Sequence, residues 1–222
     1  MISICQASLK RPEIFKNFCN SVLNTADDPN DIEFVVYRNV ADDSKYEYVG
    51  NHTEIWGTLY GFDPGVMECQ KVAKGPIFGF FPDDVIFETK GWDTMVKDAF
   101  ESVPDKIIFA YPNEHPYHSR WGADGFLHKN WIDTVGHFLV PGIVRGGDIW
   151  LNRVAMRLNR RHFLPDFITK NFDIRTDETH QLHYNLCEAV QNSEKFEELK
   201  KELRPKDIQL LKDFINNFKN ES

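Results

Sequence analysis

The stretch Ile77-Phe78-Gly79-Phe80-Phe81-Pro82-Asp83-Asp84-Val85-Ile86-Phe87 decides how this chain is read. Mostly apolar residues ending in two adjacent carboxylates spell a buried strand whose tip leaves the core carrying negative charge. Like charges side by side raise each other's pKa unless a cation or water separates them. A hard divalent ion such as Mg²⁺ or Mn²⁺ is the usual remedy, held by one or two carboxylates and completed by phosphates and water. A solvated turn is the other reading, because Pro and Asp favour turns for backbone reasons alone.

Upstream, the apolar run from Ile2 to Ala7 is followed by Lys10-Arg11-Pro12 and then by Ile14, Phe15, Phe18 and Val22 at helical spacing. This reads as strand, loop and helix, with Pro12 suited to a first helical turn. Ile32 to Tyr37 is a second strand running into a polar segment that contains Asp42-Asp43. Residues 45 to 64 carry no clear period, after which Val66, Cys69 and Ala73 line a short helix ending near Lys74-Gly75. Downstream, Trp92, Met95, Val96, Ala99 and Phe100 form another helical stripe and Lys106 to Tyr111 another strand. The alternation predicts an α/β fold with a mainly parallel sheet flanked by helices. Ligands of such sheets bind outside the carboxyl ends of the strands, the rim on which Asp42-Asp43 and Asp83-Asp84 both fall.

From Asn113 to Gly147 the chain is loop-rich, and Leu151, Val154, Ala155 and Leu158 resume helical spacing after Asp148. Thr176-Asp177-Glu178 opens a helix carrying Leu182, Leu186, Ala189 and Val190, with His180 and His183 three residues apart. From Ser193 to Phe218 two amphipathic helices are expected, broken at Pro205 and packing on the domain or on a second subunit as a homo-oligomer contact.

The 222 residues suffice for one substantial core, and 41% hydrophobic with 27% charged residues is ordinary globular composition. A net charge of −8 argues against broad attraction to nucleic acid or anionic lipid, so an anionic substrate needs a metal or a local basic cluster. Cys5, Cys19, Cys69 and Cys187 show no C-x-x-C spacing, which fits reduced thiols in a cytoplasm better than a zinc knuckle. Neither a signal peptide nor an integral membrane segment is expected.

The order of these parts, an N-terminal strand followed by Arg11-Pro12, a β-α-β unit ending in Asp42-Asp43, and Ala73-Lys74-Gly75 leading into the strand tipped by Asp83-Asp84, resembles the nucleotide-sugar glycosyltransferases of the GT-A fold. The resemblance is to the inverting family two and its short virus- or phage-associated relatives, and runs from about Ile2 to about Leu158. It implies a GT-A-like, Rossmann-like domain over 1–190, with a nucleotide-sugar half (1–112) and an acceptor half (113–190), and a helical extension over 191–222. It places Ala7, Ser8, Arg11, Asp42 and Asp43 at the base and ribose of a UDP- or GDP-linked donor. The family's Asp-x-Asp motif aligns with Pro82-Asp83-Asp84, so that Asp84 becomes the ligand of Mn²⁺ or Mg²⁺, Asp83 supports it, and proline replaces the first carboxylate. Where relatives place a further His ligand, Lys170 or Asn171 stands, and Lys170 could hold phosphate as a point charge.

In Gly146-Gly147-Asp148-Ile149-Trp150 the resemblance makes Asp148 the general base for an acceptor hydroxyl, and a helix N-cap is the competing reading of the same residue. Trp121, His128, Trp131 and Trp150, with His115 and His118, are candidates for the acceptor side, against the alternative of buried structural aromatics. Two other classes fit parts of the pattern. A nucleotidyltransferase needs a glycine-rich phosphate loop, and Gln6 to Pro12 has no glycine. A non-catalytic sugar-binding or assembly protein is consistent with Pro82 and the absent His.

Overall fold

The structure, a computed structural model, describes residues 1–171 and 194–221. The helix expected after Thr176, with His180 and His183, lies outside the described residues. The chain opens with β1 (Ile2–Ser8), α1 (Pro12–Thr25), β2 (Ile32–Asn39), β3 (Asn51–Gly57) and α2 (Phe62–Val72). Next come β4 (Ile77–Phe80), β5 (Val85–Phe87), α3 (Trp92–Glu101), β6 (Phe109–Glu114), β7 (Gly125–His128) and α4 (Lys129–Val135). α5 (Gly147–Leu158), β8 (Arg161–Asn171) and a long terminal helix, α6 (Glu194–Glu221), complete the described part.

The strands form one sheet in the order β3-β2-β1-β4-β7-β6-β8-β5. The half built from β3, β2, β1 and β4 is parallel, as the alternation of strands and helices requires. The other half is mixed, because β7 runs antiparallel between β4 and β6, and β5 runs antiparallel to β8. The sheet is thus mainly parallel, as read from sequence, with β7 and β5 reversed. β7 has four residues inside the loop-rich stretch, and β8 carries Pro165 and Asp166 between its apolar positions. β6 also starts later than expected, since Lys106 has φ +60° and the Ile107 N–H is taken by Asp105 Oδ1 at 2.8 Å. The strand runs from Phe109 and ends on Glu114.

Helices cover both faces. Phe15, Phe18 and Val22 of α1 join Trp92, Val96 and Phe100 of α3 on one side. Val66 and Cys69 of α2, Trp131 of α4, Trp150 and Leu151 of α5, and Phe196, Leu211 and Ile215 of α6 fill the other. α6 is one helix with Pro205 inside it, where two helices were expected. An internal proline costs about 3 kcal/mol, and burial of Phe196 before it and of Leu211 and Ile215 after it offsets that loss. The tail thus packs on its own domain. Asp207 fastens it, lying 2.9 Å from the donating Trp150 Nε1 and 3.2 Å from His137 Nε2. Among the described residues no helix is long and apolar enough to cross a membrane.

Candidate active site

β1, β4, β6 and β8 run in one direction, so Ser8, the turn after Phe80, Glu114 and Asn171 share one rim of the sheet. β7 runs the other way and begins on that rim, with Asp124 just before Gly125. The first turn of α5 brings in Asp148.

Asp83 faces the loop after β1. Ser8 Oγ donates to its Oδ2 at 2.7 Å and Arg11 Nη1 to its Oδ1 at 3.1 Å. The pair is buried, with 11% of the Arg11 side chain and 5% of that of Asp83 exposed, so each charge depends on the other. The Tyr46 hydroxyl lies 3.0 Å from Ser8 Oγ and accepts from the Arg11 backbone N–H at 3.1 Å. Asp42 is turned inward, accepting from the backbone N–H groups of Lys10 and Ser44 and lying 3.3 Å from Arg38 Nη2. Burial pushes the Asp42 carboxyl up, but those N–H groups and Arg38 outweigh it and hold the pKa below the ordinary value. The Arg38 guanidinium is sandwiched between the rings of Tyr46, at 3.9 Å, and Trp56, at 4.4 Å. The result is a stitched cradle at the ends of β1 and β2. Ala7 sits half-buried at its floor and Asp43 is exposed at its lip. Tyr46, Arg38 and Trp56 were not singled out by sequence; the signal was the aromatic run Tyr46, Tyr48 and Trp56 inside a stretch read as irregular.

Beside the cradle stands a group of carboxylates. Asp84, Glu114 and Asp148 all act electrostatically on Asp124, and Asp84 and Asp148 act on Glu114. Glu114 is 2% exposed and Asp124 4%, and Glu114 Oε2 and Asp124 Oδ2 reach no hydrogen-bond partner among the described residues. Burial first, then the neighbouring charges, pushes Glu114 up to about 7 and Asp124 far above the carboxylate range, although Asn171 relieves Glu114 and Arg145 relieves Asp124. Neither acid was read from sequence. Glu114 follows the same rule as Asp83, an acid at the end of an apolar strand, but Pro112 and Asn113 disguise it. Among the described residues no three His, Cys, Asp or Glu already stand close enough to hold a metal ion. Lys170 is exposed on β8, in register with Ile86 and so two residues beyond Asp84 across the ladder.

Asp148 is held by the chain reversal before α5. The N-cap is Gly146, at φ +116°, a backbone region that side chains rarely adopt. The N-cap reading of Asp148 is thereby corrected: it is the second residue of the helix. Gly147 donates its N–H to Asp63 Oδ2 at 2.7 Å, and a Cβ on Gly147 would stand 3.0 Å from that oxygen and 2.9 Å from Leu139. Trp121 Nε1 donates to Asp148 Oδ2 at 3.0 Å. Burial raises the Asp148 pKa, with Trp121, the Ile149 N–H and Arg145 acting the other way.

Asp63, buried at the start of α2, is pushed to about 7 by burial and by the charge of Asp148. Its pKa in the unfolded chain is the ordinary one, so the folded state binds this proton more tightly. The stabilisation is complete below about pH 4 and is lost as the pH rises through about 7. Asp63→Asn removes the titration, and the fall in stability across that window is expected to shrink by at most about 4 kcal/mol, read from urea midpoints. An unchanged pH slope would refute it.

The remaining aromatics go elsewhere. His128 pairs with Ile77 at the amino end of β4 and accepts from the Asn130 N–H, capping α4. That is the far edge of the sheet, about 20 Å from Ser8 at one strand rise per residue. Trp131 is buried in the core beside it, and Trp150 is buried against Asp207. These three are corrected from acceptor-side to structural positions. Trp121, His115 and His118 lie on the loop after β6 and stay on the rim.

No family model matches the sequence, and no curated protein is similar to it in sequence. Solved structures are similar in fold. Residues 1–349 of S. aureus TarS in complex with UDP-GlcNAc match with a TM-score of 0.64 at 11% identity, over 97% of this chain and 71% of that one. Glucosyl-3-phosphoglycerate synthase from Mycobacterium tuberculosis, in complex with Mg²⁺ and uridine diphosphate, matches at 0.60 and 10%, over 86% and 79%. The mannosyltransferase PcManGT from Pyrobaculum calidifontis, in complex with GDP-Man and Mn²⁺, matches at 0.59 and 12%, over 96% and 73%. The chain has the GT-A-type fold of these glycosyltransferases.

Proposed function

We propose that this protein is a metal-dependent glycosyltransferase that moves a sugar from a UDP- or GDP-linked donor to an acceptor hydroxyl with inversion. The observation that carries the reading is the meeting, on one rim of this fold, of the Ser8-Arg11-Asp83 cradle, the carboxylates around Asp84, and Asp148 at the head of α5. Buried oxygens of Glu114 and Asp124 that meet no hydrogen donor among the described residues suit a hard cation, so the donor set fits Mg²⁺ or Mn²⁺. Asp83 is committed to Ser8 and Arg11, and Asp84, next to it on the rim, would hold the ion. When bound, the ion neutralises charge that develops on the departing diphosphate.

The chain's own residues do the rest. The loops after β1 and β2, pinned by Tyr46, Asp42 and Arg38, give the nucleoside a rigid seat that needs little ordering on binding. Lys170 adds a positive charge beside the phosphates. Asp148, steadied by Trp121, takes the acceptor's hydroxyl proton as its oxygen bonds to the anomeric carbon. The bond from that carbon to the diphosphate breaks, and the nucleoside diphosphate leaves with the electron pair. The raised pKa of Asp148 makes it a stronger base than an exposed aspartate.

A panel of UDP- and GDP-sugars with Mn²⁺ or Mg²⁺ tests the proposal. Metal-dependent thermal stabilisation by the nucleotide and release of nucleoside diphosphate are expected. Stabilisation without turnover from any donor would favour a non-catalytic sugar-nucleotide binder, the reading kept open by Pro82. No response to any nucleotide would sink both.

A further inference from the structure

The seam between α5 and α6 collects positive charge in a chain whose net charge is −8. Arg153 and Arg157 lie one turn apart on α5, both exposed. Arg204 of α6 faces them closely enough that, after burial, their charges are what lower its pKa. Its guanidinium lies 4.9 Å from the Trp150 ring centre, and its Nε and Nη2 are buried with no hydrogen-bond acceptor among the described residues. Glu197, the acid that acts on Arg204, is itself paired with Lys200. Three guanidinium groups gathered around unmet donors are destabilising in the free protein and suit an oxyanion ligand.

Past Arg157 the seam opens into a cleft of about 490 Å³ lined by Arg157, Arg160, Lys212 and Lys219. Arg160 is paired with Asp105, and Lys212 and Lys219 add two further cations to the lining. Arg204 and Lys219 are about 22 Å apart along α6 at the helical rise. A single anion cannot use a track of that length; a chain with repeated charges can. The other end of the track points into the candidate active site, where Arg153 lies 5.9 Å from the centre of the Trp121 ring that steadies Asp148.

We propose that the α5–α6 seam binds the acceptor, and that this acceptor is a hydroxyl-bearing chain with repeated phosphate groups. Phosphates lie on Arg153, Arg157 and Arg204 and continue onto Lys212 and Lys219, which brings a hydroxyl of the same chain to Asp148. The planar guanidinium fork matches phosphate geometry, and salt weakens the contact because much of the seam is exposed. The assignment of the chain as acceptor rests on the glycosyltransfer reading; the binding of phosphate along the seam does not.

Calorimetric titration with inorganic polyphosphate in metal-free buffer tests it, with a carboxylate polymer of similar length as the second arm. Without divalent ions Asp84 has nothing through which to hold phosphate, and the seam variants separate binding there from any contact with Lys170. Binding is expected in the wild type, at least tenfold weaker in Arg157→Glu and Arg204→Gln, and unchanged in Asp84→Asn. Arg157 is exposed, so the first variant keeps the test sound if loss of the Trp150 stack loosens α6 in the second. Equal binding in both arginine variants, loss of binding in Asp84→Asn, or a carboxylate polymer that binds as tightly would each overturn the proposal. Failure here leaves the nucleotide response with Mn²⁺ intact, and failure of the glycosyltransfer reading leaves polyphosphate binding intact.

Discussion

Asp84→Asn is expected to abolish the stabilisation that a nucleoside diphosphate gives with Mn²⁺, and to lower donor turnover a hundredfold or more. A metal that neutralises a departing diphosphate is worth several kcal/mol, and about 1.4 kcal/mol is a factor of ten. Asn keeps the shape but cannot supply the charge. Asp84 is also one of the charges that raise the pKa values of Glu114 and Asp124. Removing it relieves that repulsion, and the melting temperature of the free variant separates loss of the metal from loss of the fold. A variant that still responds to Mn²⁺ would move the metal to Glu114 and Asp124 and refute the role of Asp84.

The second large effect falls on Asp148. Asp148→Asn is expected to reduce transfer about 10²- to 10⁴-fold, the usual contribution of a positioned base, while nucleotide binding stays within a few-fold. Geometry survives the change, since the Trp121 N–H can donate to an amide oxygen as it does to the carboxylate. The base works only when ionised, so the wild-type rate rises with pH through the raised pKa of Asp148. The variant loses that rising limb. A retained limb, or a loss confined to the apparent affinity for the donor, would assign proton removal to another group.

What the sequence could reveal follows from range. β1, α1, β2, α2 and the strand before Asp83 were legible because a buried face repeats over several residues, as Phe15, Phe18 and Val22 do. The Asp83-Asp84 pair was visible as a charge at the end of an apolar run, but its division of labour was not. That division depends on Ser8 and Arg11, more than seventy residues away in the chain. β7 and β8 were lost for a different reason, since four residues give no period and Pro165 interrupts one. Glu114 and Asp124 lay inside the unreadable stretch, so half of the carboxylate group went unseen. The arginines of α5 and α6 each looked like solvated helix surface, and only the packing of the two helices made them one track.

The reversal that carries Asp148 is held from a distance in sequence. A Cβ on Gly146 would lie 3.7 Å from the Phe196 ring, and Trp150, one turn into α5, is tied to Asp207. During synthesis the nucleotide cradle, made wholly from residues before 85, can form early. The brace behind the base arrives only when the residues of α6 have emerged. The two halves of the site are therefore completed by parts of the chain that emerge at different times.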